Sequence, residues 1–182
     1  MNIMVASDIH GSEFYCGKLL EAYKREGCDR LLLLGDILYH GPRNDLTYKY
    51  NPKAVIKMLN EISGDILSVR GNCDAEVDNM VLDFDVSANC LLLSADGVDY
   101  YATHGHLPVP PLKAGTVLLF GHTHVPVFKE EDGIFILNPG SVSIPKMDSD
   151  RGYIVIKNGK PVRKNLDGEI TFEADFGLSK TN

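Results

Sequence analysis

The hydrophobic pattern of this chain changes period half-way along, and that change limits its fold more than any other feature. Ile3–Ala6 is a short apolar run that stops at Asp8-Ile9-His10-Gly11, as a buried strand does when it empties into a loop. From Ser12 the period lengthens: Phe14, Leu19, Leu20 and Tyr23 recur at helical spacing as far as Gly27, a C-terminal stop. Leu31–Leu34 reads as a second buried strand, running into Gly35-Asp36. Asn51 followed by Pro52 pairs an N-cap with a proline at the first helical position, opening a helix through Met58, Leu59 and Ile62. Ile66–Val69 is a third strand, ending at Gly71-Asn72-Cys73-Asp74.

The second half has no helical period. Its apolar runs are Leu91–Leu93, Val98–Ala102, Val117–Phe120, Val125–Phe128, Ile134–Leu137 and Tyr153–Ile156. Asp96-Gly97, Asp132-Gly133, Asn158-Gly159 and Asp167-Gly168 punctuate the same stretch. Asx-Gly between apolar runs is a strong hairpin signal, because both residues tolerate the positive φ of a tight turn. The spacing therefore predicts an α/β chain, βαβαβ and parallel first, then β hairpins. Both halves must share a core, most simply as two sheets face to face with helices outside. A doubly wound fold would need helices throughout. With no internal repeat or long linker, residues 1–182 are expected to form a single domain.

Composition removes several function classes. Asp and Glu number 25 against 18 Lys and Arg, a net charge of −7, which argues against a nucleic-acid polymer or an anionic membrane as partner. No apolar run is long enough to span a bilayer. The N-terminus lacks a basic region, and Asp8 interrupts any signal-peptide core. Cys16, Cys28, Cys73 and Cys90 show no CxxC pair, as expected of reduced thiols in the cytoplasm.

The chemistry-bearing residues stand where strands end. Asp8 and His10, Asp36, Asn72, His104, and then His122 and His124 each follow an apolar run. Loops at the carboxyl ends of strands converge while the sheet holds them rigid, so ligands gather there. Imidazole, carboxylate and amide oxygen together suit Mn²⁺, Fe²⁺, Zn²⁺ or similar ions. Seven candidates are too many for one tetrahedral ion but suit two adjacent ions sharing a carboxylate. Two such ions, roughly 3.5–4 Å apart, activate a water and clamp a phosphoryl group, which points to hydrolysis of a phosphate ester.

Taken in order, Asp8-Ile9-His10-Gly11, Gly35-Asp36, Gly71-Asn72-Cys73-Asp74, Thr103-His104-Gly105-His106 and Gly121-His122-Thr123-His124 resemble the motifs of calcineurin-like metallophosphoesterases. The resemblance is strongest to the small bacterial YfcE-type phosphodiesterases. It extends to His40-Gly41-Pro42-Arg43-Asn44 and to the segment from Asn138 to Pro145, covering roughly residues 2–156. It implies a four-layer αββα sandwich of two mixed sheets flanked by helices. It implies two divalent cations, manganese first, with zinc, iron, nickel or cobalt as alternatives. Asp8, His10 and His124 would hold one cation, Asn72, His104 and His122 the other, and Asp36 would bridge them. A hydroxide shared by the two cations would attack the phosphorus of a small phosphodiester in line.

One position departs from the pattern. Many family members carry histidine, their usual general acid, where this chain has Cys73, and the following aspartate, here Asp74, orients it. A thiol is a weaker proton donor in such a place, so the resemblance favours diesters with good leaving groups over monoesters. His40, Arg43, Asn44 and His106 are candidates for touching substrate. Arg43 could fork onto a phosphate or be merely solvated, and His106 could bind substrate or steady its loop. The competing functions are a nuclease of the same superfamily and a non-catalytic protein-binding scaffold on the same fold. Unprotected hairpin edges in the second half allow a homo-oligomer.

Overall fold

The computed structural model describes residues 1–173. Residues 174–182, included in the single-domain expectation, lie outside the described residues. In chain order the elements are β1 (Ile3–Ala6), α1 (Glu13–Glu26), β2 (Arg30–Leu33), α2 (Pro52–Asn60), β3 (Ile66–Ser68), β4 (Cys90–Ala95) and β5 (Val98–Thr103). There follow β6 (Val117–Leu119), β7 (Val127–Glu131), β8 (Ile134–Asn138), β9 (Gly152–Lys157), β10 (Lys160–Asn165) and β11 (Ile170–Glu173).

Local chemistry ends the helices where the sequence predicts. Ser12 accepts a hydrogen bond from the Tyr15 amide at the start of α1, and Gly27, at φ 60°, closes it by donating to the Tyr23 carbonyl. Asn51 caps α2 by accepting from the Ala54 amide, with Pro52 next in line. The helix stops at Asn60, two residues short of the expected Ile62.

The strands form two mixed sheets, ordered β11-β10-β9-β1-β2-β3 and β4-β5-β6-β8-β7. The first three strands pair in parallel, and Asp96-Gly97, Asp132-Gly133 and Asn158-Gly159 each turn a two-residue hairpin with both residues at positive φ. The second half nevertheless differs from a plain run of hairpins. β5–β6 and β6–β8 pair in parallel, and β9 leaves the second sheet to lie antiparallel beside β1. The expected strand over 125–128 begins two residues later, since His124 is left-handed and Pro126 has no N–H to give a ladder.

Between the sheets lies one core, with Ile3, Val5, Leu32, Ile154 and Ile156 from the first meeting Val98, Tyr100, Ala102, Val117, Leu119 and Leu137 from the second. Met4, Ala6, Leu31, Leu33, Tyr153 and Val155 face the other way, onto Cys16, Leu19 and Tyr23 of α1 and Val55 and Leu59 of α2. The central strands are therefore buried on both faces, which is why they read as unbroken apolar runs. Both helices cover the same sheet. Among the described residues no α-helix covers the outer face of the second sheet, where Leu92 is 77% exposed. Pro111 and Leu112 line a groove beside Leu92, and that segment, with Pro108 and Pro110 just before it, is too rich in proline to form a helix. Two sheets face to face are thus present, with the helical flank on one side. Among the described residues no helix is long and apolar enough to cross a membrane.

Candidate metal centre

The carboxyl ends of five strands supply the site. β1 leads to Asp8 and His10, β2 to Asp36, β3 to Asn72, β5 to His104, and β6 to His122 and His124. Asp8, His10, Asp36, His122 and His124 all sit at positive φ, between 48° and 65°. Non-glycine residues seldom adopt that backbone, and its clustering marks a site whose geometry is held against local preference. Two glycines make the crowding feasible. A Cβ on Gly71 would fall 2.1 Å from Asp36 Oδ1, and one on Gly121 would fall 1.9 Å from Ser7 Oγ.

The side chains converge in two groups that share a middle. Asp8 Oδ1 lies 3.2 Å from His124 Nε2 and 3.5 Å from His10 Nε2, and the two imidazole nitrogens are 3.2 Å apart. His104 Nε2 lies 3.1 Å from Asn72 Oδ1 and 3.3 Å from His122 Nδ1. Asp36 Oδ2 stands between the groups, 3.4 Å from His104 Nε2 and 3.7 Å from His10 Nε2. Its other oxygen accepts from the Cys73 amide at 2.8 Å.

This arrangement fits a divalent cation better than it fits itself. The Nδ1–H groups of His10, His104 and His124 donate to the carbonyls of Tyr39, Leu34 and Ile144 at 2.8, 2.6 and 2.8 Å. A carbonyl only accepts, so each neutral ring turns a bare Nε2 lone pair inward. Those lone pairs meet one another, two carboxylates and the Asn72 amide oxygen. Asp8 Oδ1 is buried with no hydrogen-bond donor. A cluster of acceptors facing acceptors, each ring fixed from behind by a carbonyl, is what a metal ion resolves.

Without metal, protons fill part of that role. Burial works against the charged imidazole of His104, yet the Asp36 hydrogen bond and the charges of Asp8 and Asp36 raise its pKa to about 9. His10 is likewise raised against its burial, by Asp8 first. Burial opposes ionisation of Asp8, but the imidazoles of His10 and His124 beside it, followed by the charge of His104, hold its carboxyl far below the usual range. His122 is lowered, by burial and then by the charge of His104.

The motif from Asn138 onward supplies the frame. Ser141 and Ser143 hydroxyls both donate to the Asp8 carbonyl, at 2.8 and 3.0 Å. Asn138 Nδ2 donates to the Gly121 carbonyl at 2.8 Å, and Ile144 carries the carbonyl that fixes His124. Asp74 does comparable work between loops: its carboxylate accepts from the amides of Asp36, Ile37 and Gly71, at 2.7–2.8 Å. Among the described residues no hydrogen bond joins that carboxylate to the Cys73 thiol, and its bonds all go to backbone. Burial, followed by Asp36, pushes the Cys73 thiol up to about 12.

A cleft of about 1120 Å³ opens above the metal site, lined by Asp36, Asn72, His122 and His124 together with Arg43, Asn44 and Cys73. Of the expected substrate residues, His40 and His106 are not in its wall. His40 donates to the Asn44 carbonyl, which in turn is held by Asn44 Nδ2 bonding to the His40 carbonyl, so this pair braces its own loop. His106 packs beside the rings of His104 and His122. Lys146 and Arg70 also line the cleft. Lys146 carried no sequence signal beyond its place after the Asn138–Pro145 motif.

Residues 1–160 match the calcineurin-like phosphoesterase superfamily domain, and the chain belongs to that superfamily. It is a metallophosphoesterase. Among its relatives, phosphodiesterase YfcE of Escherichia coli (strain K12) is 43% identical over 162 residues, covering 87% of this chain and 88% of that protein. A solved structure of YfcE, a phosphoesterase from E. coli, matches with a TM-score of 0.92 at 41% identity, over 96% of this chain and 98% of that one. Phosphodiesterase MJ0936 of Methanocaldococcus jannaschii is more distant, 26% identical over 157 residues, or 77% of this chain and 83% of that protein.

Proposed function

We propose that the protein is a metal-dependent phosphodiesterase that cleaves a small phosphodiester by in-line attack of water on phosphorus. One observation carries the reading: three imidazoles, each fixed from behind by a backbone carbonyl, aim bare nitrogens at two shared carboxylates. Asp8, His10 and His124 are the residues to hold one cation, and Asn72, His104 and His122 the other, with Asp36 common to both. When bound, two divalent ions supply an acidified water and positive charge against the phosphoryl oxygens. Asp74 and the serines at 141 and 143 keep the loops in place while charge builds. Cys73 stands where many relatives carry a histidine, and burial followed by Asp36 pushes its thiol up in the metal-free protein, which supports diesters whose leaving group departs without strong proton donation. Arg43 and Asn44 line the cleft as substrate-facing residues.

Manganese is taken first from the family resemblance, with zinc, iron, nickel or cobalt as alternatives, because a mixed N/O donor set follows metal availability more than affinity order. All four thiols are free, in keeping with the cytoplasm. The single domain is read over residues 1–182, and the uncharged outer edge of β4 supports a homo-oligomer. Net charge −7 supports exclusion of nucleic-acid polymers. The scaffold reading is disfavoured by the retention of metal-competent side chains at all seven positions. Chelator-stripped protein is to be assayed on bis(p-nitrophenyl) phosphate before and after Mn²⁺, and on linear DNA. Turnover of the diester only with metal, and none of DNA, is expected. Failure to restore diester turnover with any of the five ions overturns the assignment.

A further inference from the structure

Arg43 and Arg70 line the cleft together with Cys73, and neither is among the residues proposed to hold metal. Arg70 is tethered by its Nε, which donates to the Asp74 carbonyl at 3.3 Å, and its backbone amide bonds to the Ala88 carbonyl at 2.7 Å. Its terminal nitrogens carry no ion pair among the described residues. Arg43 is carried by a different segment, the loop after Asp36. That loop lies against Cys73, since a Cβ on Gly41 would stand 3.0 Å from Cys73 Sγ and 3.4 Å from Asn44 Nδ2. Arg43 is exposed, lines the cleft, and also has no carboxylate partner among the described residues. Lys146 lines the same cleft from the His124 side, its backbone amide donating to the His124 carbonyl at 3.1 Å. The one exposed carboxylate in the wall is Glu76.

The charge balance shows what such a cleft selects. A plain phosphodiester carries one negative charge, and two divalent cations over the carboxylates of Asp8 and Asp36 already exceed it. Arg43, Arg70 and Lys146 add positive charge in a chain whose carboxylates outnumber its cations by 25 to 18. Guanidinium forks match the oxygens of a phosphate, and two of them suit a dianion.

We propose that Arg43 and Arg70 form a subsite for a second phosphate group, so that the preferred substrate is a small phosphodiester bearing a phosphomonoester on one alcohol arm. This rests on the phosphodiesterase reading above and names its substrate class. Lys146 adds long-range attraction from across the metal site, and Glu76 bounds the subsite by repelling a further anion.

The test uses two matched substrates on Mn²⁺-loaded protein: the p-nitrophenyl ester of thymidine monophosphate, and the same ester carrying a second phosphate on its free sugar hydroxyl. The second phosphate is expected to raise kcat/KM by about tenfold or more, mainly through KM, as charge-assisted hydrogen bonds do. Arg43→Gln and the double variant Arg43→Gln/Arg70→Gln should bring the ratio between the two substrates toward one. Arg43 makes no side-chain hydrogen bond among the described residues, so its variant is expected to fold even where removal of Arg70 disturbs the Asp74 loop. In parallel, isothermal titration compares thymidine monophosphate with thymidine bisphosphate, and the same ratio of Kd values is expected. Equal binding of the two nucleotides, or a preference that survives in both variants, overturns the subsite. A preference in binding without turnover of either ester keeps the subsite and overturns the phosphodiesterase reading instead.

Discussion

The two halves of the metal centre are built to different degrees of completeness. Asp8 and His10 are wholly buried and His124 is 3% exposed, so the protein itself closes around this half. In the other half His104 is buried, but Asn72 is exposed and His122 half-buried; the cleft is lined by both of these and by only His124 of the first half. The closed half has its residues fixed from two loops: the Tyr39 and Ile144 carbonyls stand behind the rings, and the Ser141 and Ser143 hydroxyls, on the same loop as Ile144, hold the Asp8 carbonyl. The open half has one ring so fixed, and its Asn72 amide also lies 3.2 Å from the Cys73 sulfur. On the proposed ligand assignment, the buried half would hold its cation as a structural fixture and the open half would turn its cation toward substrate.

Asp36 belongs to both halves, so its loss should have the largest effect. Asp36→Asn is expected to lower kcat/KM by at least ~10³-fold and to reduce metal content at both positions. Retention of two equivalents by elemental analysis would break the shared role. His124→Ala and Asn72→Ala separate the halves. The first should weaken the tighter cation by about 10–100-fold, and the second should spare it and weaken only the looser one. Equal losses in a metal titration would erase the distinction.

A pH series sharpens the same contrast. His104 must shed its proton to bind metal, and its metal-free pKa is raised from 6.5 to about 9. Affinity at the open half should therefore rise about tenfold per pH unit up to that value, with proton release visible in buffers of different ionisation enthalpy. Chelator-stripped protein should show the reverse trend in stability. The raised His104 stabilises the fold below 6.5 and loses that contribution as pH climbs through about 9, so Tm should fall from neutral to alkaline pH. Asp8, held low, contributes above its ordinary value and loses that contribution only well into acid. The smallest effect is expected at the frame: Ser141→Ala removes one of two hydroxyls on the Asp8 carbonyl and should cost about 1–3 kcal/mol in denaturant unfolding.

Much of this was legible in the residues. The three two-residue hairpins follow from Asx-Gly, because positive φ at both turn positions is a local demand met by local chemistry. The seven ligand positions stand out because each follows an apolar run. What escaped is non-local. That β9 would pair with β1 depends on matching edges some 150 residues apart, and no periodicity within Tyr153–Ile156 carries it. The left-handed backbone at Asp8, His10, Asp36, His122 and His124 is imposed by carbonyls and amides of other loops. Asp74 looked like a partner for its neighbour, yet its carboxylate is taken up by amides from two loops. Lys146 is an ordinary surface lysine until its backbone is seen bonded to His124.

The insertion of β9 beside β1 has a consequence for how the protein is made. β1, which delivers Asp8 and His10, is flanked by β2 on one edge and by β9 on the other. Its second edge stays bare during synthesis until residues 152–157 have left the ribosome, although β1 itself emerges first. The serines that grip the Asp8 carbonyl come only slightly earlier, at 141 and 143. A nascent chain therefore holds its earliest ligands in an unfinished sheet, and pays for closing a loop nearly as long as itself before they are set. On the proposed ligand assignment, metal would therefore be acquired late, after completion of the sheet rather than as its guide.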